Sequence, residues 1–97
     1  MAIVVMQDFP GGTVEQYDQV TERLNLGNKS PKGNLVHIAG LIEGGFRVVD
    51  VWESQEALNA FMGVLGPVAQ SVGIPAPQVT IWPAHNMLTP LGYGLGG

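Results

Sequence analysis

The stretch that most constrains the fold is residues 35–53, LVHIAGLIEGGFRVVDVWE, in which two apolar, β-branched runs flank Gly44-Gly45. Paired glycines between such runs predict a two-residue hairpin, because that turn needs positive φ, which glycine adopts without steric penalty. With both glycines in the turn, Glu43 pairs with Phe46, Ala39 faces Asp50 and His37 faces Trp52. Ala39, Asp50, His37 and Trp52 then share one face, with Asp50 a diagonal neighbour of His37. A register slip of one residue would disperse them.

The rest of the chain supplies the partners of this hairpin. Residues 2–9 are apolar and β-branched, a first strand covered on two sides. After Pro10-Gly11-Gly12, Thr13 and Gln16 form a capping-box signature, and Val14, Tyr17, Val20 and Leu24 repeat on one helical face. The polar stretch NLGNKSPKGN, holding both lysines, reads as an exposed loop. Ser54 caps a second helix whose stripe of Leu58, Phe61, Met62, Leu65, Ala69 and Val72 crosses Pro67, where a kink is expected. The segment QVTIWPAH is a fourth strand, and Pro83 assigns it to a sheet edge or a bulge.

The order β-α-β-β-α-β predicts an α+β, ferredoxin-like domain: a four-stranded antiparallel sheet with both helices on one face. Residues 1–88 form this single domain, and 89–97 form a glycine-rich tail expected to be loose unless docked. No element remains to cover the second sheet face, although the strands are apolar on both sides. A chain of 97 residues that is 45% hydrophobic and only 12% charged fits a homodimer closed through that open face.

Eight acids against four cations give a net charge of −4, with no basic stripe for nucleic acid. Cysteine is absent, and two histidines among scattered acids lack the close spacing of a zinc or non-haem iron site, so no metal is expected. No apolar run approaches the roughly 20 residues that span a bilayer, and the N-terminus lacks a signal pattern, so a cytoplasmic, membrane-independent protein is expected.

The run VVDVWESQEAL is similar to the strand-to-helix junction of antibiotic-biosynthesis-monooxygenase-like domains of the dimeric α+β barrel superfamily, and the element order agrees over nearly the whole chain. The resemblance implies a dimeric barrel with a small-molecule pocket, in a family that includes cofactor-free oxygenases, haem degraders, isomerases and polyketide cyclases. Trp52 matches the tryptophan that lines the substrate pocket in several such oxygenases, and Ser54 matches the helix cap. Many relatives place a histidine on the second helix near the position of Phe61, and several oxygenases use an asparagine on strand one where this chain has Gln7 and Asp8. Without that histidine, haem ligation by the helix is not expected; without the asparagine the oxygenase pattern is only partly matched, and the family also holds proteins with no assigned activity.

An ionised carboxylate in an apolar wall is costly unless paired, and a histidine beside it is a partner that keeps it charged. His37 and Asp50 are accordingly the candidate acid–base pair, with His37 taking a proton from a phenol or activated carbon. Trp52, Phe46, Phe61 and Met62 are the candidate walls for a hydrophobic, aromatic or polyketide-like ligand, and His85 is a second acid–base candidate at the pocket mouth. Tyr17 offers a phenol, though its place in the apolar stripe favours packing, and Arg47 is expected to pair with Glu53. The competing reading is a structural polar pair near a dimer seam in a non-catalytic binding or structural module.

Overall fold

The computed structural model describes residues 1–27 and 29–89. It contains β1 (Ile3–Pro10), α1 (Val14–Leu24), β2 (Asn34–Ile42), β3 (Gly45–Trp52), α2 (Gln55–Val72) and β4 (Gln78–Pro83). The strands form one antiparallel sheet in the order β2-β3-β1-β4, the ferredoxin-like arrangement. Pro83 ends β4, an edge strand where its missing N–H breaks no ladder. Of the tail, only Thr89 lies within the described residues.

Local chemistry sets the helix bounds. The Thr13 hydroxyl accepts the Gln16 backbone N–H while the Gln16 side chain accepts the Thr13 N–H, both at 3.1 Å. At the other end, Asn25 takes a left-handed conformation (φ 52°) and its N–H returns to Thr21 and Glu22. The Ser54 hydroxyl accepts the Ala57 N–H at 3.1 Å to start α2. Pro67 does not interrupt α2, which is helical through Val72 before Gly73 caps it.

The hairpin departs from its expected register. Ile42 pairs with Gly45, so Glu43 and Gly44 are the two turn residues, and His37 lies directly opposite Asp50. The two glycines do different jobs. Gly44 supplies the positive φ (79°), whereas Gly45 is already in β3, where any Cβ would collide with the Phe9 carbonyl. The register moves by two residues, so the expected face is kept while the partners change. Near its start β2 carries a bulge: Val36 pairs with Val51 and Asn34 with Trp52, leaving Leu35 as the extra residue.

Burial along β3 alternates strictly. Phe46, Val48, Asp50 and Trp52 are buried under the helices, while Arg47, Val49 and Val51 face the open side. Trp52 packs with Val5 and Leu58 at the centre of the core, flanked by Ile3, Ala57 and Phe61. Val4, Met6, Val36, Ile38 and Trp82 share the open face with Val49 and Val51, and Ile38 is 62% exposed. Arg47 does not reach Glu53. It forms a two-pronged ion pair with its cross-strand partner Asp8 on that same face, at 2.6 and 2.9 Å. Each partner favours the other's charge, lowering the Asp8 pKa and raising that of Arg47.

Candidate active site

Between the buried sheet face and the helices lies a cavity of about 850 Å³, within the size range of small-molecule sites. Its floor comes from β1, β2 and β3, and its sides come from α1, α2 and the loop that precedes β2. His37, Asp50, Trp52, Phe46, Phe61 and Met62 all line it; His85 does not, standing exposed beyond β4.

At the floor, the His37 Nδ1 lies 2.6 Å from Asp50 Oδ1. A carboxylate can only accept, so Nδ1 carries the proton and Nε2 is left as an acceptor. The Tyr17 hydroxyl donates to Nε2 from 2.5 Å, making a continuous Tyr17–His37–Asp50 chain across three elements. Tyr17 is held between two rings. Its plane lies 10° from that of His37, and it packs on Phe46 at 5.0 Å between centroids. The Asp50 carboxylate also accepts the Asn34 side-chain N–H at 3.2 Å.

These contacts shift the ionisations. The hydrogen bond that His37 donates to Asp50 raises the His37 pKa above the ordinary imidazole value, against a smaller opposing effect of burial, and the carboxylate's charge adds to the rise. Tyr17 is also raised, first by burial and then by the negative charges of Asp50 and Asp18. The imidazolium is thus favoured and the tyrosinate disfavoured.

Three polar groups around this chain have unused bonding capacity. The Trp52 indole N–H and the Asn34 carbonyl oxygen are buried without a partner among the described residues. Gln7, only 7% exposed on the central strand β1, lines the cavity, and its amide makes no hydrogen bond to a described residue. Unmet polar groups inside a protein are costly, and native cores hold few of them. Among the described residues no group of three or more His, Cys, Asp or Glu is placed to hold a metal. No helix among them is long and apolar enough to cross a membrane.

Tyr17, Asn34 and Gln7 are the site residues that sequence reasoning did not select. The available signal for Tyr17 was a hydroxyl-bearing ring in the α1 stripe that faces the His37 side of the sheet. For Gln7 it was a polar side chain alternating onto the buried face of an otherwise apolar strand.

The fold is similar to that of solved structures. An antibiotic biosynthesis monooxygenase-type protein from Chloroflexus aurantiacus J-10-fl superposes with a TM-score of 0.58 at 18% identity, over 87% of this chain and 93% of its own. One from Deinococcus radiodurans gives 0.57 at 13% identity, over 87% and 92%. The chain has an antibiotic biosynthesis monooxygenase (ABM)-like fold. A third ABM-like structure, a monooxygenase from the gene ActVA-Orf6 of Streptomyces coelicolor in complex with the ligand Nanaomycin D, gives 0.56 at 17% identity over 92% of each chain. No protein-family model matches the sequence, and no curated protein does. In ABM-like terms, the Tyr17–His37–Asp50 chain lies between the sheet and the helices, on the side away from the open face.

Proposed function

We propose that this protein is a cofactor-independent enzyme, of monooxygenase, isomerase or cyclase type, acting on a hydrophobic aromatic or polyketide-like molecule. The observation that carries the reading is the His37–Asp50 pair at the floor of an apolar cavity large enough for several fused rings. The carboxylate favours the imidazolium, which lets His37 accept a proton and hold it while a substrate anion forms. Nanaomycin D bound to the Streptomyces coelicolor neighbour supports a polyketide-type ligand. Trp52, Phe46, Phe61 and Met62 would contact the rings.

We also propose that a second copy covers the open sheet face, where seven apolar side chains lie together. The test of function is turnover of hydroxylated polycyclic phenols under oxygen, followed by absorbance and mass change. Loss of turnover in His37→Ala with ligand binding retained supports the enzyme. Undiminished turnover in that variant removes His37 as the base, and tight binding without turnover by the wild type favours a ligand-binding module.

A further inference from the structure

We propose that Tyr17, rather than His37, is the group that meets the substrate, and that its hydroxyl relays the substrate's proton to His37. The inference rests on the acid–base reading of the cavity and specifies its substrate. His37 has two ring nitrogens, and both are occupied: Nδ1 by Asp50 and Nε2 by Tyr17. A ligand in the cavity therefore finds no free imidazole nitrogen. It finds Tyr17, a lining residue whose phenol oxygen can accept one hydrogen bond while donating its own.

The transfer is balanced without any further reagent. The substrate O–H bond breaks, and its proton bonds to the Tyr17 oxygen. In the same event the proton already on Tyr17 passes to His37 Nε2. The products are a substrate oxyanion, a neutral Tyr17 and a His37 imidazolium paired with the Asp50 carboxylate. Tyr17 never has to exist as a free tyrosinate, which its buried surroundings and the charges of Asp50 and Asp18 oppose. Return of the proton to water is open as well, because His37 sits on the edge strand β2 with 39% of its side chain accessible.

Such a relay selects a substrate whose acidic group is a hydroxyl, a phenol or an enol, on a flat apolar body. The Gln7 amide on β1, without a hydrogen-bond partner among the described residues, adds a hydrogen bond for a carbonyl on the same molecule. Together they define a hydroxyquinone or hydroxyaryl ketone rather than an amine or a simple hydrocarbon.

A suitable probe is 2-hydroxyanthraquinone, whose colour reports its own ionisation, with its methyl ether as the non-ionisable control. Bound to wild type, the quinone should ionise at lower pH than when free. In Tyr17→Phe, which keeps the ring and its packing on Phe46, that displacement should be lost while the ether binds with unchanged affinity. Persistence of the full displacement in Tyr17→Phe, with its loss in His37→Gln, overturns the relay and leaves His37 as the direct base. Persistence in Tyr17→Phe, His37→Gln and Asp50→Asn alike overturns the relay together with the acid–base reading. Failure of both quinone and ether to bind the wild type overturns the relay and the ligand class it defines.

Discussion

Asp50→Asn isolates the charge at the centre of the site, since an asparagine carbonyl can still accept from His37 Nδ1 and the shape of the side chain is kept. The carboxylate is 12% exposed and accepts two hydrogen bonds, of which the 2.6 Å bond from His37 is the shorter. Charge-assisted bonds contribute about 1.5–3 kcal/mol and neutral ones about 0.5–1.5, so removing the charge costs roughly 1–1.5 kcal/mol. With 39% of the His37 side chain accessible, solvent screening reduces that to about 0.5–1 kcal/mol. For a domain of this size the loss lowers Tm by roughly 2–8 °C.

The pH dependence fixes the sign. The folded-state pKa of His37 is raised, chiefly by Asp50, so the pair's contribution is fully present below the unfolded imidazole value of about 6.5. It is lost as pH rises through the raised folded value. The gap in stability between wild type and Asp50→Asn should therefore be wider at pH 5.5 than at pH 9, measured by thermal unfolding followed by circular dichroism. NMR titration should show the His37 pKa falling in the variant. A gap that is equal at both pH values, or wider at pH 9, would refute the ionic pairing.

Gln7→Leu replaces a largely buried residue whose amide has no hydrogen-bond partner among the described residues, and should raise stability by about 1–2 kcal/mol in urea denaturation while weakening hydroxyquinone binding; a destabilised variant would mean the amide is satisfied. Gly45→Ala drives a Cβ into the Phe9 carbonyl and should cost about 1–3 kcal/mol in the same assay, whereas a neutral result would contradict the close approach of β1 and β3. Ile38→Glu places a charge on the open face, 62% exposed in the single chain, and should shift sedimentation from dimer to monomer without unfolding the protein. A wild type that sediments as a monomer at every concentration would remove the proposed dimer.

The element order was legible because each element carries its own local signal. Thr13 and Ser54 mark helix starts, glycines mark turns, and the alternation of Phe46, Val48, Asp50 and Trp52 marks a buried face. Register was harder to read, because Gly44 and Gly45 look alike in sequence. One is glycine for its φ and the other for the backbone that lies against it, and only the first concerns the turn. The continuity of α2 across Pro67 was legible as well, because its apolar stripe keeps helical spacing from Leu58 to Val72 on both sides of the proline.

Parity explains why the candidate site was nevertheless visible in part. Side chains alternate with a period of two, so an error of two residues leaves His37, Asp50 and Trp52 on one face and only exchanges their partners. The true register brings His37 directly opposite Asp50, which strengthens the pair beyond the diagonal contact expected. The bulge at Leu35 has the opposite effect, since it reverses parity for the residues before it. Strict alternation from His37 would put Asn34 on the open face, yet the extra residue turns it inward, opposite Trp52 and onto the Asp50 carboxylate. No period-two reading could find Asn34, and no reading of the sheet alone could find Tyr17, whose hydroxyl arrives from α1. The groups that extend the cross-strand pair are Asn34, placed on the Asp50 carboxylate by an irregularity, and Tyr17, placed on His37 by tertiary packing, so the chemistry of this site depends most on what alternation does not encode.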